Sequence, residues 1–316
     1  MSTFGLLAQV LEIIAAVLAA PLLLGWVNQC RAWLQNRSAP SLLQPWRGIR
    51  KLFHKDAVLA ENASALFRTA PYVVFGTMVL AAAIIPSMAM HLPLSIAADS
   101  IALVGLLATA RVFLALAAMD VGTAFGTLGA RREMMIGFLA EPALLMVIFV
   151  AAMISHTTSL AGIAESLTGQ DLALYPSAAF TAVAFLLVLL AENARIPVDN
   201  PATHLELTMI HEAMLLEYSA RHLALMEWAA ALKLFNYACI GFALFVPWGL
   251  AAEGAGPAGL LISIPALGLK LLLAGAGLAL IETVSAKLRV FRASEFLATA
   301  FLLAVLGLLV HLLLGA

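Results

Sequence analysis

"FLATAFLLAVLGLLVHLLL", residues 296–314, runs without a single formally charged side chain. As an α-helix it would span roughly 28 Å, close to the thickness of a bilayer's hydrocarbon core. In lipid every backbone N–H and C=O must be paired within the spanning structure, which leaves helices and closed barrels. A barrel strand would alternate apolar and polar residues; this run is continuous, so it reads as a membrane-spanning helix. Working outward, segments of the same kind lie at about 4–27, 69–90, 100–119, 134–154, 177–193, 224–247 and 258–281. The expected fold class is an all-α integral membrane protein with about eight transmembrane helices, 1–316 forming one polytopic domain. Composition agrees: 63% hydrophobic, 11% charged, mean hydropathy +1.02, against about 25% charged residues in a soluble domain. Cys30 and Cys239 belong to no CxxC pair and read as small apolar packing residues.

Positive charge sets the expected orientation. The connection at 28–68 carries Arg31, Arg37, Arg47, Arg50, Lys51, Lys55 and Arg68; 120–133 carries Arg131 and Arg132; 194–223 carries Arg195 and Arg221; 282–295 carries Lys287, Arg289 and Arg292. The second, fourth and sixth connections carry no Lys or Arg. Odd connections are therefore expected on the cytoplasmic side of a cytoplasmic (inner) membrane, and both termini on the other. Within the first connection, "SLLQPWRGIRKLFHKD" (41–56) spaces Leu42, Leu43, Trp46, Ile49, Leu52 and Phe53 helically with basic residues between them. This predicts an amphipathic interfacial helix, serving as an anchor on anionic lipid, a docking surface, or both.

Several ionisable residues fall inside the expected spans: Glu12, Arg111, Glu141, Glu227, Lys233 and Lys270. Each costs on the order of 3 kcal/mol to insert, so each needs a partner or a purpose. Glu227 and Lys233 are six residues apart, on different faces of one helix, so their partners must come from other helices or from water. Glu141 precedes Pro142, which frees the carbonyl of Phe138, and Glu133, Gly137 and Glu141 stack along one helix face.

Between the fifth and sixth spans the stretch from Ala191 to Lys233 crowds Glu192, Arg195, Asp199, Glu206, Glu212, Glu217, Glu227 and Lys233 together with His204, His211 and His222. Glu192 closes a span, Arg195 and Pro197 break the helix, and Asp199 or Asn200 can cap a new one with Pro201 in its first turn. A helix from Pro201 through Arg221 would put His204, Thr208, His211 and His222 on one side and Glu206, Glu217 and Arg221 on another. His204 and His211 would lie about 10 Å apart on it, too far for one metal ion without a further ligand. A solvated face, a proton relay and a partner contact all remain open for these histidines.

The motifs taken in order resemble a known family. "ENARIPVD" (192–199) followed by "LEYSARHLALMEWAAALK" (216–233) is similar to the H-type membrane subunit (subunit 1) of respiratory complex I, in its formate hydrogenlyase and group 4 membrane-bound nickel–iron hydrogenase branch. "NRSAPSLLQPWRGIRKLF" (36–53), "ARVFLALAAMDVGTAFGTLGARREMMIGFLAEP" (110–142) and "IETVSAKLRVFRASEFL" (281–297) resemble further pieces of the same subunit. The resemblance implies an eight-helix subunit joining a cytoplasmic redox arm to an ion-pumping membrane arm. It implies that Glu192, Arg195, Asp199, Glu206 and Glu217 form a charged chain by a quinone-like cavity. Glu141, Glu227 and Glu282 would lie on the route of the redox signal into the membrane, with Glu212, Lys233 and Lys270 on the same pathway and Arg111, Asp120, Glu133, His204 and His211 as further polar candidates. Implied partners are hydrogenase-like, Fe–S-bearing cytoplasmic subunits, antiporter-like membrane subunits and the lipid bilayer, with no nucleic acid. The Fe–S clusters, and Ni–Fe where the partner is a hydrogenase, would reside in those partners. Two departures count against quinone binding: Ala202 and His204 stand where the quinone-reducing branch has glutamates, and Ser38, Ala39 and Pro40 where it has Gly-Pro-Asn. The chain carries no nucleophile constellation, phosphate loop or cofactor ligands, so alone it is expected to be non-catalytic. Rival readings are a stand-alone proton or cation transporter and a passive anchor for a soluble oxidoreductase.

Overall fold

Proline positions explain much of how the helices grip one another. In the computed structural model, residues 3–90, 92–94, 99–168, 176–199, 209–251, 256–288 and 292–314 are described. They form α1 (Thr3–Leu34), α2 (Gln44–Phe53), α3 (Ala65–Ile84), α4 (Ser100–Asp120), α5 (Ala124–Ser155), α6 (Leu160–Thr168), α7 (Pro176–Glu192), α8 (His211–Leu215), α9 (Ala220–Phe245), α10 (Gly256–Val284) and α11 (Ala293–Leu314). Seven of these are long and apolar enough to cross a membrane, and α7 is a shorter apolar helix of 17 residues. The all-helical class is as expected, and each expected span overlaps one of these eight helices, the second ending at Ile84 rather than near residue 90.

A proline inside a helix cannot donate to the carbonyl four residues earlier. Pro21 in α1 leaves the Val17 carbonyl free, and the Trp228 indole of α9 donates to it at 3.0 Å. Pro71 in α3 does the same for Phe67, whose carbonyl accepts from the Tyr218 hydroxyl at 3.1 Å while the two rings stack 4.1 Å apart. Tyr218, just before α9, and Trp228 within it thus fill two gaps that proline opens in neighbouring helices. Pro142 in α5 frees the Phe138 carbonyl, and no side chain of the described residues donates to it.

Helix α9 packs against α3, α1, α2 and α7, while α5 packs against α11, α4, α7 and α8. Both form the buried centre, where Tyr237, Phe235, Leu232, Leu144 and Met214 are fully enclosed. The outer surface stays apolar: Phe138, Val284 and Leu313 are about four-fifths exposed. In water such a belt would be an association hazard; in lipid it is the ordinary solvated face.

One expectation changes. The helix predicted from Pro201 through Arg221 is interrupted: α8 ends at Leu215, and residues 216–219 turn before α9 begins at Ala220. Tertiary anchors override local propensity here. Tyr218 is held on Phe67, and the Ser219 hydroxyl donates to the Val58 carbonyl at 2.6 Å and accepts from the Val58 N–H at 2.9 Å. His211 and His222 therefore sit on different helices, not on one stripe. His204, Glu206 and Thr208 lie outside the described residues.

Candidate functional site

Arg111 is the hub of the buried charges. It projects from α4 with its side chain only 3% exposed and meets three carboxylates. Its Nε lies 3.5 Å from Glu133 of α5, one guanidinium nitrogen pairs with Glu141 of the same helix, and the other pairs with Glu192 at the end of α7. Glu133, Gly137 and Glu141 do form one face, and Arg111 lies along it. A Cβ at Gly137 would collide with the guanidinium, so the glycine is what lets Arg111 reach both glutamates. Glu192 is then bridged to α9 by Lys233, whose Nζ is 2.9 Å from Oε2. The partner of Lys233 does come from another helix. Tyr237, one helical turn beyond Lys233 and fully buried, neighbours the same carboxylate. Fully ionised, this cluster holds two cations against three anions, so one carboxylate lacks a full counter-charge and is a natural resting place for a proton.

A second network lies at the basic end of the bundle. Glu282, near the end of α10, accepts from Arg195 at 3.2 Å and pairs with Arg31 of α1 at 3.5 Å. Arg31 also donates to Asn28. Asp199 pairs with Lys287 at 3.4 Å and accepts from the His211 N–H at 3.3 Å; the helix start expected at Pro201 lies outside the described residues. The Leu288 N–H donates to the Pro197 carbonyl at 2.8 Å, tying the two connections together. Outside the spans, burial pulls the Arg195 guanidinium and the His211 imidazole below their ordinary values; Glu282 resists the first shift and Glu133 the second. Burial, reinforced by Asp120, raises the Tyr218 phenol well above its usual range.

A cavity of about 390 Å³ joins the two networks. Glu192, Arg195, Asp199, His211, Glu212, Glu227 and Lys233 line it, with Arg31 and Asn28 on the α1 side. A smaller void of about 30 Å³, room for a water or two, continues past His211 and Lys233 to Arg111 and Glu133. Glu212, Glu227 and Lys233 thus face space rather than lipid. Among the described residues, Glu217 makes no ion pair and sits half-buried on the turn before α9. Asp120 stands apart: it accepts from the Ser64 N–H at 2.9 Å and steadies the start of α3. Lys270 is also separate. Its Nζ donates to the Val246 carbonyl at 2.7 Å and lies 4.8 Å from the centre of the Trp248 ring.

Sequence reasoning missed Arg31 and Lys287 as pairing partners, treating them only as orientation signals, and passed over Tyr237. The i, i+4 spacing from Lys233 to Tyr237 was the available clue. Comparison with known proteins now bears on this arrangement. Residues 7–313 match the family model described as NADH dehydrogenase. The chain belongs to this family, as a complex I subunit 1-like member. Over 289 residues the family member is 33% identical to formate hydrogenlyase subunit 4 of Escherichia coli (strain K12), covering 92% of each chain. It is 33% identical over 243 residues to hydrogenase-4 component C of the same organism, covering 77% of this chain and 76% of that one. A chain of the membrane-bound sulfane sulfur reductase, an archaeal respiratory membrane complex, shares the fold with a TM-score of 0.80 at 18% identity, over 96% of this chain and 98% of that one. This member of the family is thus a multi-pass, complex I-like membrane subunit.

Proposed function

We propose that this subunit couples electron transfer in a docked cytoplasmic module to protonation changes within the membrane. The carrying observation is the Arg111 hub, which links Glu192 at the polar cavity to Glu141 on the outer face of α5. The Glu141 side chain is 34% exposed, against 1% for Glu192. It sits beside the freed Phe138 carbonyl, among lipid-level side chains, where a neighbouring antiporter-like membrane subunit would cover it.

When a redox centre near the cavity gains or loses charge, the weakly screened interior transmits that change to the carboxylates. Asp199, Glu212 and His211 would form the receiving group at the cavity, with Glu227, Lys233 and Glu192 beside them; the family resemblance adds Glu206 and Glu217 to the same charged chain. A proton held among Glu133, Glu141 and Glu192 then shifts toward Glu141 and the next subunit. The basic connections would face the cytoplasm, placing this cavity beside hydrogenase-like, Fe–S-bearing partners that hold the clusters. The strong likeness to formate hydrogenlyase subunit 4 and hydrogenase-4 component C supports that branch.

The test uses the assembled complex in proteoliposomes. Glu141→Gln, Glu192→Gln and Lys233→Met should assemble normally and sustain electron transfer while losing proton translocation. Unchanged coupling with normal assembly would leave only a passive anchor; ion transport by the purified single chain would show a self-contained transporter.

A further inference from the structure

A second cavity, of about 510 Å³, opens between α2 and α9, away from the charge network. Leu43, Trp46, Arg47, Ile49, Arg50, Phe53 and Trp228 line it. Its floor is aromatic: Trp46 and Phe53 both stand edge-on to Trp228, with ring centroids 5.1 Å and 6.3 Å away. Both indoles are fixed. Trp228 donates to the Val17 carbonyl that Pro21 frees, and Trp46 donates to the adjacent Leu18 carbonyl at 3.2 Å. With their N–H groups used, the rings offer the cavity only apolar surface.

Its rim is cationic. Arg47 and Arg50 lie three residues apart on α2, neighbours on one helix side, and both are exposed. Neither guanidinium has an acidic partner among the described residues, and no acidic residue lines the cavity. An aromatic cage alone would suit a quaternary ammonium, but two unpaired arginines repel a cation and select a phosphate. Placement decides the rest. The floor hangs on the Val17 and Leu18 carbonyls of the membrane-spanning α1, so it is set against a lipid-facing helix rather than in the cytoplasm. A peripheral protein does not reach such a wall; a phospholipid carries phosphate and hydrocarbon in the right order.

We propose that this cavity binds one anionic phospholipid, its phosphate on Arg47 and Arg50 and its glycerol and first acyl carbons over Trp46, Phe53 and Trp228. The site does not depend on the coupling function above.

Native mass spectrometry of the purified complex, exchanged into either phosphatidylglycerol or phosphatidylcholine, tests this. The wild-type complex should retain phosphatidylglycerol preferentially. Arg47→Gln/Arg50→Gln should weaken that retention roughly 30-fold, as two surface cations would, while Arg47→Lys/Arg50→Lys keeps most of it and subunit content stays constant. Brominated phosphatidylglycerol should quench a tryptophan component that Trp228→Phe removes, a readout that leaves the arginines untouched. Equal retention of both lipids, retention indifferent to the glutamine pair, or a quenched amplitude that Trp228→Phe leaves undiminished would each overturn the proposal. So would loss of a peripheral subunit from the glutamine variant with lipid content unchanged, which would make this face a protein-docking surface.

Discussion

Glu192 and Glu12 are both carboxylates sealed inside apolar helices, but the molecule answers their charges differently. Glu192 faces Arg111 and Lys233, two cations from two other helices. Glu12, 1% exposed on α1, meets no cation among the described residues: the N–H and hydroxyl of Ser87 and the N–H of Met88 all converge on its Oε1. Lys270 repeats the second pattern, resting on a backbone carbonyl and a tryptophan face. The segments that Glu12 and Lys270 grip are themselves joined, since the Ala251 N–H donates to the Met88 carbonyl at 2.8 Å and the Met90 N–H to the Ala251 carbonyl at 3.2 Å. An ion held by ions changes its state when any neighbour does. A group held by neutral neighbours is a fastener, because those neighbours change no charge.

Breaking the hub should have the largest effect. Arg111→Met leaves three carboxylates facing one another and should destabilise the subunit by roughly 3–5 kcal/mol, seen as a lower melting temperature of the complex or failure to assemble. Gly137→Ala should act in the same direction by pushing the guanidinium off Glu133 and Glu141, and translocation assays should show coupling lost with it. Glu192→Gln sharpens the contrast: proton translocation falls roughly tenfold or more while assembly holds. Glu12→Gln keeps an oxygen for the same donors, so coupling should be unchanged; Glu12→Ala should cost about 2 kcal/mol of stability without uncoupling. If Glu12→Gln uncouples the assembled complex, the division into switch and fastener fails.

The smallest effect concerns acid. Burial lowers the His211 value below its ordinary 6.5, so the unfolded chain binds the proton more tightly than the folded one. Stability from this residue is present above 6.5, is lost as pH falls through it, and levels off below the folded value. His211→Gln should flatten that part of the melting-temperature profile.

The spans were legible because continuous apolar runs are local, and so was the Glu133–Gly137–Glu141 face, which needs only helical periodicity. That Lys233 would need a partner from elsewhere was legible; that the partner is Glu192 was not. Arg111 reaches Glu141 and Glu192 across separations of 30 and 81 residues, and no spacing rule reports such distances. The turn at residues 216–219 was hidden for the same reason: it exists because Phe67 and Val58 hold Tyr218 and Ser219. Lys270 reads in sequence like a member of the charge pathway, and only its surroundings set it apart.

The two proline gaps in α1 and α3 have a mechanical consequence. Each is stitched shut by an aromatic donor from one contiguous stretch, Tyr218 through Trp228. A displacement of that stretch would act on both helices at once, each at the turn where proline removes a backbone hydrogen bond. The first and third helices are thereby fastened to one short segment, and the helix that continues from it carries the ammonium of Lys233.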